Sequence, residues 1–233
     1  MITVLTSNAT CTVLEALCAA FQNTGGEAVS IRADSAKIML GRIRGGETAD
    51  AAVLNAPHID ELVEAGLIDA ETRRAFARSH IGVAVRKGVP HPDISTVEAL
   101  KRALLAANGV AHTVHGASGM YVPTLLQRLG IANNVRTVTR PGGLIATVVA
   151  AGEAEIAVQQ ISELIAVPGV ELVGPLPSQV QQTFESAAGV FALSKHRGAA
   201  EALLQFFGQT SNAALFRRHG LELSPATRDT PAP

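Results

Sequence analysis

The sequence predicts an α/β protein made of two Rossmann-like lobes, and three observations carry that expectation. Short β-rich runs alternate with longer helical patterns along the chain, the mark of strand-helix-strand units around a mostly parallel sheet. Apolar residues make up 47% of the chain and aromatic ones only 3%, so the core must be aliphatic, as in a sheet covered on both faces by helices. The joins repeat one grammar: a strand, a turn of Ser, Thr, Asn or Gly, then a helix. At 233 residues the chain can bury such a core without staples.

The first strand is Ile2-Thr3-Val4-Leu5, and Ser7-Asn8-Ala9-Thr10 then makes a turn whose side chains suit the start of a helix carrying Val13, Leu14, Leu17 and Phe21. Gly25-Gly26 ends that helix and residues 28–31 form a second strand. Asp34-Ser35-Ala36 opens a helix through Ile38, Leu40 and Ile43, and residues 51–54 form a third strand. A helix over residues 57–65 stops at Gly66, and residues 81–85 read as a longer strand leaving this lobe. The second lobe runs through a helix at 97–106, a strand at 110–113, the turn His115-Gly116-Ala117-Ser118-Gly119 and a helix ending near Gly130. A strand at 135–139, the turn Arg140-Pro141-Gly142-Gly143, a helix to Ala151 and strands at 156–159 and 170–173 complete it. After a strand at 187–194, helices at 199–207 and 212–219 have no sheet of their own to cover, so they are expected to return to the first lobe. The expected division is therefore residues 1–83 with 188–223 in one lobe and 84–187 in the other. Residues 224–233 are polar and rich in proline, and are expected to be disordered.

A formal charge of −1 with scattered basic and acidic residues excludes the electrostatic footprint of a nucleic-acid or membrane-surface binder. Any preference for anions must be local. No apolar run reaches the roughly 20 residues of a membrane span. The N-terminus shows no basic and apolar leader before a cleavage site, so the chain as written is expected in the cytoplasm, or in the periplasm if a signal peptide was removed. Cys11 and Cys18 lie on one helix, roughly 10 Å apart at the α-helical rise, which is too far for a disulfide and leaves them as core fillers.

No phosphate loop, dinucleotide fingerprint, His-Glu-x-x-His or cysteine zinc spacing is present, so no cofactor or metal is implied. Gly116-Ala117-Ser118-Gly119 lacks the second glycine of a nucleophile elbow, because Met120 stands there. What remains is the set of turns. In a parallel sheet they gather at the carboxyl ends of the strands, where helix N-termini aim unpaired N–H groups and a positive partial charge at a ligand. Ser7, Asn8, Ser35 and Ser118 are the side chains best placed to join those donors, and Asn55 and Gly119 belong to the same turns. Any one of them reads equally as a plain helix cap; together, facing one crevice, they read as a small-anion site. Arg140 is placed to clamp a carboxylate or to make a surface salt bridge. Gln160, in a run of polar groups closing a buried strand, is expected to point into the crevice. Among the histidines only His115, next to the Gly116–Gly119 turn, stands as a general-base candidate.

Gly46-Glu47-Thr48-Ala49-Asp50-Ala51-Ala52-Val53-Leu54-Asn55, followed by Ile59-Asp60-Glu61-Leu62 and Gly66-Leu67-Ile68, resembles the molybdate-type solute-binding proteins of ABC transporters. The likeness continues through residues 81–88, Pro92-Asp93-Ile94, Gly152-Glu153-Ala154-Glu155 and Gly220-Leu221. It implies the type II periplasmic-binding-protein fold, in which two crossover strands join the lobes, here near Ala84 and Ala188. It also implies an anion held at Ser7, Ser35, Ser118 and the position of Gln160. The chain departs from that pattern at Asp34-Ser35-Ala36, which replaces a Ser-Ser-Gly-like turn, and at Gln160, which replaces a tyrosine. Ala117-Ser118-Gly119-Met120-Tyr121, Gln159-Gln160-Ile161-Ser162-Glu163-Leu164 and Gly169-Val170-Glu171-Leu172-Val173-Gly174 resemble one branch of that superfamily, which includes aconitate isomerase. That branch implies a cofactor-independent proton shift with His115 or Tyr121 as the shuttle. Two function classes stand side by side: a binder of a small oxyanion or carboxylate, with an ABC permease as partner only if exported, and an isomerase of small unsaturated carboxylates.

Overall fold

The computed structural model describes residues 1–224. By its contacts the chain divides into two units, residues 1–78 with residues 185 onward, and residues 79–184.

Unit 1 starts with β1 (Ile2–Ser7), α1 (Asn8–Asn23), β2 (Val29–Asp34), α2 (Ala36–Arg44), β3 (Ala51–Asn55) and α3 (Ala56–Glu64). Both β2 and β3 run parallel to β1, with Ser7 opposite Asp34 and Thr6 opposite Val53, so the three strands end almost level. Side-chain alternation splits each strand between two cores. Val4 and Val53 face a cluster with Val13, Leu17, Phe207 and Phe216, whereas Leu5 and Leu54 face one with Met39, Ile59 and Leu62. The aliphatic composition thus serves a sheet buried on both sides.

The chain enters unit 2 within β4 (Arg74–Arg86), between Arg78 and Ser79. It continues through α4 (Val97–Ala106), β5 (Val110–Thr113), α5 (Ala117–Arg128), β6 (Thr137–Arg140), α6 (Ala146–Ala150), β7 (Ile156–Gln160), α7 (Ile161–Ile165) and β8 (Val170–Pro175). Strands β6 and β7 lie parallel on either side of β5, and β7 and β8 pair antiparallel with β4. The same two-faced alternation holds, with Val83 and Val158 in one cluster and Ala84 and Ala157 in the other. The chain returns within β9 (Thr183–Val190), between Phe184 and Glu185, and β9 pairs antiparallel with β3. Then α8 (Arg197–Phe207) and α9 (Ala213–Arg218) pack on α1, and β10 (Leu221–Leu223) pairs with β4.

Strand β4 has 13 residues and starts at Arg74, seven before the stretch at 81–85 that the sequence marks. Arg74, Arg78 and His80 break up the apolar pattern there, because this part of the strand is only half covered. Ser224, the first residue of the tail expected to be disordered, is buried and donates its N–H to the Phe76 carbonyl. Residues 225–233 lie outside the described residues. Cys11 and Cys18 both sit on α1 as free thiols.

Candidate functional site

In unit 1 the predicted residues Ser7, Asn8, Ser35 and Asn55 collect at one edge of the sheet, because three parallel strands end there and each hands over to a helix. Ser7, Ser35 and Asn55 are the N-cap residues of α1, α2 and α3, and none of their side chains caps a backbone N–H of its own helix. Thr96, the N-cap of α4, does: its Oγ1 accepts the Ala99 N–H at 3.1 Å. The Ser7 hydroxyl lies 3.3 Å from Thr10 Oγ1, which lies 2.8 Å from Thr6 Oγ1, and Thr6 donates to the Val53 carbonyl at 3.0 Å. Ser35 is only 7% exposed and its hydroxyl is buried without a partner. Asn8 and Asn55 are half-buried.

Asp34 would oppose an anion if its charge faced this edge. Its Oδ1 instead accepts the Ser35 N–H at 2.7 Å, and its Oδ2 lies 3.6 Å from Arg42, which also holds Glu47 at 2.6 Å. The acidic substitution in the second turn is therefore partly neutralised by a basic neighbour, and it removes one backbone donor from the edge.

In unit 2 the turn after β5 is fixed by contact. A Cβ on Gly119 would lie 2.0 Å from the Thr113 carbonyl oxygen, so only glycine lets the first turn of α5 rest on the strand end. Ser118 is 1% exposed beside it, and Thr113 Oγ1 is buried with no partner. His115 is exposed, and its backbone N–H donates to the Pro141 carbonyl at 3.0 Å, while Val114 N–H donates to Arg140 O at 2.8 Å. These bonds stitch the His115 turn to the Arg140 turn. Gln159 locks the second of them: its Oε1 accepts the Ile145 N–H at 3.0 Å and its Nε2 donates to Gly143 O at 2.8 Å. Gln159 thus explains half of the polar run that the sequence assigns to Gln160.

The other predicted residues of unit 2 are engaged. Arg140 donates to Glu153 at 2.7 Å with about half its side chain exposed, the surface salt bridge of the two alternatives. The Tyr121 hydroxyl donates to the Val180 carbonyl at 2.7 Å and accepts from Arg128 at 3.2 Å. Gln160 is buried at the end of β7, and its Nε2 donates to Glu163 Oε2 at a long 3.4 Å. Sequence reasoning passed over Glu163, a 7% exposed carboxyl in the first turn of α7. Burial pushes it up to about 8, against the opposing pull of hydrogen bonds from the Gln160 backbone and amide. The available signal was the spacing Gln160-Ile161-Ser162-Glu163, in which an N3 carboxylate reaches back to the N-cap N–H.

Among the described residues no group of three or more His, Cys, Asp or Glu could hold a metal ion, and no helix is long and apolar enough to cross a membrane. A cavity of about 410 Å³ lies at the opposite edge of the unit 2 sheet, against Val85, Arg86, Ala107 and Ile156, and contains none of the predicted residues. The strand-end edges offer neutral hydroxyl, amide and backbone N–H donors, a set suited to a small anion.

Comparison with known proteins adds three findings. The sequence profile described as bacterial extracellular solute-binding protein matches residues 2–222. The chain is 33% identical over 233 residues to aconitate isomerase from Pseudomonas sp, a match covering 97% of this chain and 88% of that protein. Among solved structures, the periplasmic molybdate-binding protein of Azotobacter vinelandii superposes with a TM-score of 0.75 at 18% identity, covering 96% of this chain and 100% of that one. The sulfate-binding protein of Mycobacterium tuberculosis H37Rv gives 0.71 at 22% identity, covering 94% and 85%. Likeness at these identities establishes the type II periplasmic-binding-protein fold and nothing finer.

Proposed function

We infer the function of this chain from the premise that it belongs to the family of bacterial extracellular solute-binding proteins: it binds a small anion, either an oxyanion or a di- or tricarboxylate, through neutral donors at its strand-to-helix turns. One observation carries this reading. Three successive helices of unit 1 start on polar N-caps whose side chains cap none of the helix N–H groups, and one of these, Ser35, keeps a buried hydroxyl with no partner at all. An unpaired buried hydroxyl costs about 1–3 kcal/mol, and a bound anion would remove that cost. Ser7, Asn8, Ser35, Asn55, Ser118, Gly119 and Gln160 are the proposed ligand-binding positions. Arg140 joins them only if it leaves Glu153.

Calorimetric screening of sulfate, molybdate and di- and tricarboxylates tests the reading, and a saturable anion is expected. Failure of every anion to bind defeats it. Delivery to an ABC permease applies to an exported form alone, and cell fractionation of the full-length gene product decides where the protein resides.

The 33% identity to aconitate isomerase over nearly the whole chain favours a second reading, an isomerase of unsaturated carboxylates that needs no cofactor. A base takes an allylic proton, the C–H pair forms the new double bond, and the old double bond collects a proton at its far carbon. Donors that grip the carboxylates also stabilise the dienolate-like charge between these steps. His115 is the proposed base, since it sits at the mouth of the Ser118 turn with only its backbone N–H in a hydrogen bond. Tyr121 would have to give up Val180 and Arg128 first. Proton NMR of aconitate in D₂O should show exchange with the protein alone, abolished by His115→Gln while affinity stays within a few-fold. Tight binding without exchange by the unaltered protein returns the chain to pure binding. Exchange that survives the substitution moves the base to another group.

A further inference from the structure

The buried carboxyl of Glu163 has no part in the readings above, yet it stands where they matter. It lies in the first turn of α7, immediately beyond the end of β7, and β7 is paired with β5, the strand that carries the Ser118 turn. Its side-chain partner is the amide of Gln160, a proposed ligand-binding residue, across 3.4 Å. That is beyond the about 2.7–3.2 Å of an ordinary N–H···O bond, so the carboxyl holds the amide only loosely. The preceding side chain, Ser162, has a buried hydroxyl with no partner, so on α7 the carboxyl draws on Gln160 alone, through its backbone N–H and its amide.

Charged neighbours do not explain the environment either. Of the strands packed on α7, β7 carries no ionisable side chain, β8 carries only Glu171, which is paired with His91 at 3.4 Å, and β4, whose Gly82 lies against Ile161, carries Arg74, Arg78, Arg86 and His80, the last with its Nδ1 3.2 Å from Thr183 Oγ1. Burial is the chief influence on the carboxyl, followed by hydrogen bonds from Gln160. A neutral acid makes a weak claim on the Gln160 amide, leaving N–H capacity for a ligand. A carboxylate makes a strong claim on that amide and adds a negative charge, poorly screened by the interior, near a negative ligand.

We propose that Glu163 couples anion binding to pH through Gln160: with the carboxyl neutral the amide serves the ligand, and with it ionised the amide is withdrawn and the anion repelled. The proposal rests on the anion-binding reading and adds a proton to it. Bound anion and ionised Glu163 exclude each other, so the protein takes up a proton when it binds an anion at alkaline pH.

Calorimetry of the intact protein with sulfate and with trans-aconitate, from about pH 7 to about pH 10, where the carboxyls of the probes are ionised, reads this directly. Affinity should fall above the midpoint of Glu163 by up to about tenfold per pH unit, the slope of one linked proton. Runs in two buffers of different ionisation enthalpy should show up to one proton taken up per anion. Glu163→Gln, which cannot ionise, should keep the neutral-pH affinity within a few-fold and lose the dependence. A flat wild-type profile, or a fall that persists in Glu163→Gln, overturns the coupling and leaves the binding site intact. Should that variant not fold, a carboxyl-carbon NMR titration of the wild type decides the matter: sulfate must raise the Glu163 midpoint, and an unmoved midpoint refutes the proposal. Absence of binding at every pH defeats the site reading itself, and the coupling with it.

Discussion

At the strand ends of unit 1 the polar N-cap side chains leave their helices uncapped, whereas at those of unit 2 Gln159, Tyr121 and Arg140 are spent on the surrounding chain and the unpartnered hydroxyls belong to Thr113 and Ser162. Ser7, Ser35 and Asn55 start three helices without capping their N–H groups. Across the chain, Gln159 ties Gly143 to Ile145, Tyr121 is held by Val180 and Arg128, and Arg140 by Glu153. The first arrangement forgoes about 1 kcal/mol of capping for each helix and presents side-chain donors. The second fixes backbone, so that the N–H groups of the Gly116–Gly119 turn become the donors and the side chains become scaffold. Donors can be offered by leaving side chains unpaired or by making the main chain rigid, and of the two units it is unit 2 that adds the second.

The comparison can be broken most forcefully at Gly119. An added Cβ would strike the Thr113 carbonyl at 2.0 Å, so Gly119→Ala should destabilise the fold by at least about 3 kcal/mol, lowering the melting midpoint by roughly 6–12 °C. Gly41→Ala, in open space on α2, should be neutral or stabilising by up to about 1 kcal/mol. Equal melts for the two would mean that the unit 2 turn is not rigid.

Glu163→Gln tests scaffold against charge. Between its ordinary value of 4.5 and about 8, the folded chain holds a proton that the unfolded chain has lost. The stability due to this group is therefore fully present below 4.5, falls as pH rises, and is gone above about 8. The variant should melt higher than the wild type at about pH 9, with the gap closing towards acid pH, and scanning calorimetry at several pH values will show it. A gap that does not change with pH would remove the buried acid from the account.

Ser118→Ala should weaken anion binding by about 1.5–3 kcal/mol, roughly tenfold or more, and by more than Ser7→Ala, whose neighbour Thr10 supplies a second hydroxyl at 3.3 Å. Equal losses in a titration would erase the contrast between the turns. Ser35→Ala separates the two quantities, since it removes an unpartnered buried hydroxyl. It should raise stability by up to about 1 kcal/mol while lowering affinity, a trade of function against fold. The smallest effect is expected at Arg140, whose exposed pair with Glu153 should be worth under about 1 kcal/mol when Arg140→Gln is compared by chemical denaturation.

The order of strands and helices was legible because each handover from β1, β2, β3 and β5 carries its own capping residues and each strand alternates into two apolar cores. Side-chain direction was not. The sequence shows that Gln159 and Gln160 close a buried strand, but period-two alternation sends one to the Gly143 loop and the other to Glu163, and nothing local says which. Asp50, read as a family signature, accepts the Thr3 N–H at 2.8 Å and the Ser194 hydroxyl at 2.7 Å, partners 47 and 144 residues away. Spacing along the chain cannot reveal bonds of that span. Asp34, where the sequence departs from the family pattern, is met by Arg42, which reaches back to it at 3.6 Å from the last turns of α2.

The clasp at Tyr121 has an optical consequence. Tyr121 is the single tyrosine of a chain with no tryptophan, so its near-ultraviolet absorption and intrinsic emission come chiefly from one phenol, fixed within unit 2 between Val180 and Arg128. Loss of those bonds transfers the ring to water and changes the signal, while events confined to unit 1 leave it unaltered. Backbone circular dichroism reports both units. A melt followed by the two signals at once is thus a built-in test of cooperativity, requiring no label: coincident curves mean that the units unfold as one, and a phenol transition apart from the backbone transition means that each has a stability of its own.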